Sequence, residues 1–499
     1  MRLTRTRVIS QAFFVALFVW LLYKADFSRI ESFPVALFLQ TDPLLALATA
    51  LGNRTLYSGM LLALIVLIPT IFAGRFYCGW ICPFGALHTF FSWIFRPKKR
   101  AELVESNRYR PWFALKYYVL AVFLIASAFG ITQVGLLDPI ALLNRSMSTA
   151  VFPALGVVTG GRLPGDWTFH AAWLIGGVFI LFLLLNAVVP RFFCRALCPL
   201  GALLGVLSRF SIVHVWRDPA KCNDCEQCLV HCPGAADPDG TLRKSECYVC
   251  MECTDSCPTH RMSMRVLPPE QDVRVAPELS RRKLLQTGAV TLAAVPFLGA
   301  SVRSDRQPLA SLIRPPGSRE ESRFLSSCVK CGACMVACPT NAIQPLMFEA
   351  GIEGLWSPVM DFHLGYCEYN CTLCAEVCPT GAIRELSVEE KLGREPYEQP
   401  VRLGTAFLDR TRCLPWAMYK PCIVCEEVCP VSPKAIYLED ATAVGADGNS
   451  VSLRRPVVEP DRCIGCGLCE YKCPVYDQRA IRVSSVGESR SALNVLLLK

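Results

Sequence analysis

The chain has 499 residues, 28 of them cysteine, and 52% of its residues are hydrophobic. This hydrophobic fraction argues against a wholly water-soluble protein and predicts that part of the chain lies in a bilayer. Every cysteine falls into a regularly spaced motif, which leaves none for a structural disulfide. The formal net charge is +9, but it leaves out any charged group that these cysteines bind.

Four apolar segments in the N-terminal part are long enough to cross a bilayer. They are Val8–Tyr23, Leu56–Phe76, Trp112–Leu136 and Thr168–Val189. The first could be read as a signal peptide, but Lys24-Ala25-Asp26 is a poor cleavage site and further spans follow. We therefore expect an uncleaved anchor and a helical membrane domain over residues 1–217.

Basic residues gather on one side of these segments. They lie between the second and third segments (Arg96, Lys98, Lys99, Arg100, Arg108, Arg110) and after the fourth (Arg191, Arg195, Arg209, Arg217). Because short basic loops stay in the cytoplasm, these ends are predicted to be cytoplasmic. The opposite loops carry two more apolar pieces, Pro43–Leu51 and Ile140–Val158, which we expect to lie in the outer interface of the membrane.

A thirteen-residue segment occurs twice, at the ends of the second and fourth spans, as Arg75–Leu87 and Arg191–Leu203. Each copy holds a Cys-x3-Cys-Pro motif, formed by Cys78 and Cys82 and by Cys194 and Cys198. The duplication predicts two related helical hairpins that meet face to face, with both thiols of a pair on one helical face. Three interpretations stay open: reversible redox dithiols, structural thiols at a helix junction, or a metal site shared by all four. The reducing cytoplasm disfavours a lasting disulfide.

The next cysteines repeat the spacing of a two-cluster bacterial ferredoxin. Each of two runs has three cysteines two residues apart and a fourth followed by proline: Cys222, Cys225, Cys228, Cys232 and Cys247, Cys250, Cys253, Cys257. The fourth cysteine ligates the neighbouring cluster, so we expect [4Fe-4S] clusters on Cys222/Cys225/Cys228/Cys257 and on Cys247/Cys250/Cys253/Cys232. A zinc site has no use for the Cys-Pro step. Residues 218–265 are thus predicted to be a cytoplasmic ferredoxin domain.

The chain next contains a segment that resembles a twin-arginine export signal, Ser280-Arg281-Arg282-Lys283-Leu284-Leu285. This segment is followed by the apolar run Gln286–Ala300. An ordinary anchor that carries two arginines is the alternative. In both interpretations residues 266–320 contain a fifth span and a Pro/Arg/Ser-rich linker, Ser301–Glu321, and the chain after about Val302 lies in the periplasm.

Four more quartets occupy residues 321–480, before a tail over 481–499. They are Cys328, Cys331, Cys334, Cys338; Cys367, Cys371, Cys374, Cys378; Cys413, Cys422, Cys425, Cys429; and Cys463, Cys466, Cys469, Cys473. The first gap is lengthened in the second and third quartets, which makes Cys413 the least regular ligand. Six clusters with about two negative charges each would bring the assembled protein from +9 to about 9 − 12 = −3, so the basic composition does not indicate a nucleic-acid partner.

Together these features resemble a known family. The first half is similar to NapH and to the membrane half of NosR, and the second half is similar to NapG and MauM ferredoxins. In the wider family of four-cluster electron-transfer subunits the first quartet pairs with the last. This resemblance implies that Cys328/Cys331/Cys334 join Cys473, Cys463/Cys466/Cys469 join Cys338, Cys367/Cys371/Cys374 join Cys429, and Cys413/Cys422/Cys425 join Cys378. Sequential pairing is the alternative.

The resemblance implies a quinol dehydrogenase of the bacterial inner membrane that passes electrons to a periplasmic reductase or cytochrome, as in periplasmic nitrate reduction. A cytoplasmic redox donor could feed the two-cluster ferredoxin. A maturation or regulatory protein, and a conduit fed by cytoplasmic ferredoxin, are the alternatives. The histidines lack the spacing of bis-histidine haem ligation, and His88 is either a quinol proton acceptor or an interfacial residue. The expected fold is an α-helical membrane bundle of about five transmembrane helices with α+β ferredoxin-like domains.

Overall fold

The fold is described from a computed structural model of the chain. It describes residues 2–25, 34–55, 57–97, 99–159, 167–218, 222–240, 242–266, 279–298, 310–444 and 450–495. Several predicted features fall partly outside these ranges: Leu56 of the second span, Lys98 of the basic loop, Ala300 of the fifth span, residues 301–309 of the linker and residues 496–499 of the tail.

The first part of the chain forms a helical domain. Its helices are α1 (Arg2–Lys24), α2 (Leu37–Gln40), α3 (Pro43–Asn53), α4 (Leu64–Ala73), α5 (Phe76–Trp80), α6 (Pro83–Ile94), α7 (Arg100–Asn107), α8 (Leu115–Ala128), α9 (Pro139–Ser146), α10 (Phe152–Thr159), α11 (Ala172–Leu184) and α12 (Pro199–Ser208). Two π-helical turns join them, Met147–Val151 after α9 and Phe193–Leu197 before α12.

Three stretches of the described chain are long and apolar enough to cross a membrane: Thr4–Lys24, Arg100–Ala128 and Pro139–Val158. The first two contain or overlap predicted spans. The second and fourth predicted spans correspond to shorter apolar helices, Ser58–Ala73 and Ala172–Ala187. The set of five transmembrane helices is therefore not confirmed and stays a prediction.

Helices α3 and α9 begin in the same way, with an aspartate followed by proline. Asp42 Oδ1 accepts hydrogen bonds from the amides of Leu44 (2.8 Å) and Leu45 (3.2 Å), and Asp138 Oδ1 caps α9 in the same manner. A side-chain cap followed by proline is a strong helix start. Both aspartates and every residue of α9 are buried. Helix α9 is therefore enclosed by the protein and does not lie on its surface, while the placement of Ile140–Val158 in the outer interface of the membrane stays a prediction.

The first ferredoxin unit covers residues 213–266. Strand β1 (Val213–Arg217) pairs antiparallel with β2 (Met262–Val266), and between them lie the short helices α13 (Gln227–Val230) and α14 (Glu252–Asp255). Because β1 pairs with β2, we describe this unit from residue 213, and the domain boundary at residue 218 stays a prediction. Helix α15 (Arg281–Leu298) follows.

The second ferredoxin unit covers residues 310–495. Its helices are α16 (Glu321–Ser327), α17 (Ala333–Ala337), α18 (Gly351–Gly354), α19 (Leu373–Glu376), α20 (Val388–Leu392), α21 (Leu414–Ala417), α22 (Val424–Glu427) and α23 (Leu468–Tyr471). Its strands pair as β3 (Ile343–Pro345) with β4 (Pro358–Met360), β5 (Thr405–Leu408) with β8 (Ile481–Ser484), and β6 (Ile436–Val444) with β7 (Ser450–Val458). Since β8 begins where the predicted tail begins, this part of the tail is a strand of the unit.

The two ferredoxin units contact opposite ends of helix α8. Before its start, the Asn107 side chain donates to the carbonyls of Leu229 and Val230 in the first unit, at 3.1 Å each. After its end, Thr132 Oγ1 donates to the Ser326 carbonyl of the second unit at 2.6 Å. A helix of fourteen residues is about 21 Å long. The helical domain therefore separates the two units, while the assignment of its ends to cytoplasm and periplasm stays a prediction.

Candidate iron–sulfur sites

The first ferredoxin unit brings its eight cysteines together in two groups. Cys222, Cys225, Cys228 and Cys257 line one pocket. In the other group, burial first, and then the charges of Cys250, Cys247, Cys232 and Cys228, raise the pKa of Cys253, and Cys232 itself interacts with Cys247. Cys232 therefore lies with the run that begins at Cys247, and both groups have the composition predicted from the sequence.

The second unit groups its cysteines in chain order. Burial, and in addition the charge of Cys378, raises the pKa of Cys328, Cys331 and Cys334. Cys338 acts in the same way on Cys367, Cys371 and Cys374. The remaining cysteines line two pockets, one with Cys413, Cys422, Cys425 and Cys473 and the other with Cys463, Cys466, Cys469 and Cys429.

The implied pairing of the first quartet with the last is thus wrong, and the sequential alternative is the arrangement observed. The physical reason is that the first two quartets pack on each other through α17 and α19, and the last two through α22 and α23. Each pair of quartets forms its own pseudo-symmetric module. Cys413, the least regular cysteine of the sequence, is buried in its group.

Several of these sulfurs accept hydrogen bonds from backbone amides. The amide of Ala236 donates to Cys232 Sγ at 3.4 Å, that of Arg261 to Cys257 Sγ at 3.4 Å, and that of Ala406 to Cys463 Sγ at 3.4 Å. Such amides stabilise thiolates, and hydrogen bonds to the sulfurs are one of the means by which proteins tune cluster potentials. The six groups therefore fit six [4Fe-4S] clusters in residue type, number and surroundings.

The two Cys-x3-Cys-Pro motifs have a different local structure from the one predicted. Cys78 lies on α5, which ends at Trp80. Cys82 caps the start of the next helix, α6, where its sulfur accepts a hydrogen bond from the Gly85 amide at 3.3 Å. Cys198 caps α12 equivalently, accepting from Gly201 at 3.2 Å. Because each proline starts a new helix, the two thiols of a pair do not share one continuous helical face.

The two motifs come together in the buried part of the helical domain. Cys82 interacts electrostatically with Cys78 and with Cys194 of the other motif, and Cys198 interacts with all three. The prediction that the duplicated segments meet therefore agrees with the structure. None of the three interpretations of these thiols is tested by their proximity alone.

Each copy of the duplicated segment has an arginine at the same position, and each of these arginines contacts the other copy. Arg191 of the second copy donates to the Gly85 carbonyl (2.7 Å) and to Thr89 Oγ1 (2.6 Å) on α6 of the first. Arg75 of the first copy lies against Gly201 of the second, with Nη2 2.8 Å from the point that a Cβ on this glycine would occupy. Both guanidinium groups are buried.

Tyr248 links this buried centre to the first ferredoxin unit. Its ring contacts both Arg75 and Arg191, whose Cζ atoms are 4.9 and 4.7 Å from the ring centroid. It stands between Cys247 and Cys250 in a cluster run, and the Trp80 indole donates to the carbonyl of the next residue, Val249, at 3.0 Å. Sequence reasoning missed these three residues as parts of the site, although the arginine at the same position in both copies was a usable signal.

His88 is enclosed rather than interfacial. It is fully buried on α6, its Nδ1 lies 3.0 Å from Asn186 Oδ1, and its ring contacts those of Phe84 and Phe193. A quinol in the bilayer has no direct access to such a side chain. The geometry therefore favours a packing role for this histidine.

Family models of iron–sulfur domains match both copies of the duplicated segment and three of the four quartets of the second unit. A family model described as a 4Fe-4S binding domain matches residues 55–102 and again 169–216, a 4Fe-4S dicluster domain matches 327–382, and a further 4Fe-4S binding domain matches 456–476. The chain is 37% identical over 213 residues to the methylamine utilization ferredoxin-type protein MauM of Methylorubrum extorquens, which covers 41% of this chain and 88% of that protein. It is 31% identical over 224 residues to the ferredoxin-type protein NapG of Escherichia coli, 44% of this chain and 90% of that protein.

The chain belongs to the NapH/NapG/MauM family of ferredoxin-type proteins. Its first half contributes the NapH relationship, with 27% identity over 276 residues to NapH of Haemophilus influenzae, 50% of this chain and 85% of that protein. No solved structure matches the chain. Within this family it is an iron–sulfur electron-transfer protein, and its apolar helices make it a membrane protein.

Proposed function

We propose that this protein oxidises quinol in the bacterial inner membrane and passes the electrons to a periplasmic reductase or cytochrome. The observation that carries the proposal is the placement of two ferredoxin units at opposite ends of one helical domain, each with its cysteines already gathered in groups of four. Bound [4Fe-4S] clusters supply one-electron transfer, which divides the two electrons of a quinol. In this proposal the residues from Cys222 to Cys257 face the cytoplasm and those from Cys328 to Cys473 face the periplasm.

A cavity beside the second unit supports quinol as the donor. Its volume is about 520 Å³, within the range of small-molecule sites. Phe129, Ile131 and Val295 line it at the ends of α8 and α15, and Ser326, two residues before Cys328, also lines it. An apolar ring could therefore enter from the helical domain and reach the edge of a cluster group.

Polar groups close the cavity on the side of the second unit. Arg319, Arg323 and the carboxyl-bearing residue Glu353 line it there. Glu353 is buried, and its backbone carbonyl accepts from the Gln133 side chain at 3.1 Å. In the proposed function Arg319 and Arg323 donate hydrogen bonds to the quinol oxygens, and the Glu353 carboxylate receives a proton that quinol oxidation releases.

Two substitutions on one helix test the cavity. Val295 faces it and is 7% exposed, whereas Val290 on the same helix is 69% exposed. We expect Val295→Trp to abolish cluster reduction by a menaquinol analogue, followed by EPR under anaerobic conditions, while reduction by dithionite is unchanged. Val290→Trp should behave as the wild type. Wild-type quinol kinetics in Val295→Trp would exclude the cavity, and wild-type clusters that stay oxidised with quinol would exclude quinol as the donor.

A conduit fed by cytoplasmic ferredoxin is the second candidate. The contact of Tyr248 and Val249 with the centre of the helical domain favours it, because it joins the first unit directly to the buried motifs. It predicts reduction of the second unit by ferredoxin without quinol, and this reduction should be lost in Cys225→Ala and Cys250→Ala. A maturation or regulatory role would instead show reduction without sustained turnover.

A further inference from the structure

We propose that Cys78, Cys82, Cys194 and Cys198 together bind an additional iron–sulfur cluster, held between the two copies of the duplicated segment. This site is separate from the six groups of the ferredoxin units. It goes beyond the proposed function, because it depends on the residues around the four sulfurs and not on quinol being the electron donor.

The buried charges around the four thiols require an anionic occupant. Arg75, Lys116, Arg191 and Arg195 are each at most 1% exposed, and each interacts electrostatically with one or more of the four cysteines. Among the described residues, Glu246 is the carboxylate that pairs with any of them, through Arg75 and Lys116. Four cations and one carboxylate leave an excess of 4 − 1 = 3 positive charges, which is costly in a buried site.

Of the three interpretations of the four cysteines, only a metal site shared by all four supplies negative charge that offsets this excess. Neutral thiols and a disulfide add no negative charge. Four thiolates that bind an oxidised cluster bring a net charge of about −2 to the site. Metal binding also requires deprotonated cysteines, which the surrounding cations favour.

Unpaired donors point to the same place. Nε and Nη2 of Arg75 and Nη1 of Arg191 are buried and have no hydrogen-bond partner among the described residues. Nη2 of Arg75 and Sγ of Cys198 lie 2.8 and 3.4 Å from the same point, the position of a Cβ on Gly201. A buried donor without a partner carries a substantial energetic penalty, and sulfides and thiolates of a cluster would accept these hydrogen bonds.

The helix starts provide further positive potential. Cys82 and Cys198 cap helices of twelve and ten residues, and each sulfur accepts a backbone amide at 3.2–3.3 Å. Helix N-termini stabilise negative charge placed next to them. The same amide-to-sulfur contact occurs at Cys232 and Cys257 in the first unit.

The spacing of the sulfurs favours a cluster over a single ion. Within the described ranges, no three His, Cys, Asp or Glu side chains converge closely enough to hold one metal ion. The same is true of the ferredoxin groups, whose thiolates bind the separated corners of a cubane. A match to a 4Fe-4S binding domain at each copy, with two cysteines in each, agrees with one cluster shared by both.

The site lies between the two ferredoxin units. On one side Arg191 and Tyr248 join it to the run that begins at Cys247. On the other side Tyr77 interacts with Cys82 and with Asp138, and Arg145 beside Asp138 donates to the Lys330 carbonyl at 2.8 Å. A cluster here would divide the distance between the units into two shorter steps.

The proposal is tested by counting iron atoms and spins in the full-length protein. The protein is purified anaerobically from cells grown on ⁵⁷Fe. Six four-iron clusters hold about 24 iron atoms, so the wild type should contain about 26 to 28. The double variant Cys78→Ser/Cys194→Ser, with one change in each copy, should lose this excess and one dithionite-reducible spin per chain. Cys225→Ser, which removes a ligand in the first unit, calibrates the signal of one lost cluster.

Two outcomes would overturn the site. Wild type and double variant with equal iron and equal Mössbauer area would show that the four cysteines bind no iron. A disulfide within either pair, found by peptide mapping of the unreduced wild type, would do the same and does not depend on the folding of a variant. Because dithionite is the reductant, failure of the quinol proposal leaves the result unaffected.

Discussion

We expect the substitution Gly135→Ala, which adds one methyl group, to weaken the contact between the second ferredoxin unit and the helical domain. It precedes α9, and a Cβ at this position would lie 1.8 Å from the carbonyl oxygen of Val329, between Cys328 and Cys331. An ordinary contact begins at 3.4 Å, so Gly135→Ala requires a displacement of 3.4 − 1.8 = 1.6 Å. Forcing an extra methyl into a packed site costs about 1–3 kcal/mol, which corresponds to about 5- to 150-fold weaker docking.

Hydrogen exchange measured by mass spectrometry can detect this loss. Amides of residues 326–330 should exchange about 5- to 150-fold faster in Gly135→Ala. Iron content and visible absorbance should stay at wild-type values, because no cysteine is replaced and the second unit can move away from the helical domain as one body. Reduction of the second unit through the helical domain should slow. Gly177→Ala is the matched control, since a Cβ on this glycine of α11 meets no atom within 4 Å. Unchanged exchange and unchanged electron-transfer rates in Gly135→Ala would refute the reasoning.

Three further predictions concern stability. Burial alone would raise the pKa of Glu321, but ion pairs with Arg314 and Arg490 lower it from 4.5 to about 2. This carboxylate therefore contributes about 3 kcal/mol above pH 4.5 that is lost as the pH falls from about 4.5 towards 2. Glu321→Gln should lower the thermal midpoint of the second unit at pH 7 by about 6–12 °C, followed by loss of visible absorbance; no change would mean that the ion pairs are not formed. Tyr248→Leu should destabilise the protein by about 1–4 kcal/mol through loss of two cation–π contacts, whereas Tyr248→Phe, which removes only a buried hydroxyl without a partner among the described residues, should not; equal effects of the two variants in chemical denaturation would contradict this. Removal of iron by a chelator should unfold the chain after residue 320, since its cysteines form part of the hydrophobic core, and native-like circular dichroism of the iron-free protein would count against it.

Spacing alone predicted the composition of the cluster groups in the first ferredoxin unit. Three cysteines two residues apart can reach one cubane only from a tight loop, so the group is local. Which cluster the fourth cysteine of a run ligates depends on tertiary packing. For a single pair of runs there is one partner available, whereas the four quartets of the second unit allow several pairings. The packing of α17 against α19 decides between them, and sequence spacing does not encode that contact.

Charge counting was less informative in the helical domain. Arg191 and Arg195 were assigned to a cytoplasmic loop, yet both are buried and bind backbone carbonyls, Arg195 at 2.8 Å to Ser106 and 3.0 Å to Pro233. An arginine that serves a buried site looks the same in sequence as one that faces the cytoplasm. The Asp-Pro starts of α3 and α9 were present in the sequence and were overlooked, because their apolar residues resembled surface-lying helices.

The exchanged arginines also bear on how such a chain could arise. Arg191 satisfies carbonyls of the first copy, and Arg75 lies on α12 of the second, so each copy depends on the other for its buried cations. An ancestral chain with a single copy would meet the same requirement only as a C2 homodimer, in which each subunit lends its arginine to its neighbour. Duplication and fusion would make that symmetric contact intramolecular. The two copies could then diverge, as Thr89 and Gly205 have done at equivalent positions four residues after the paired glycines.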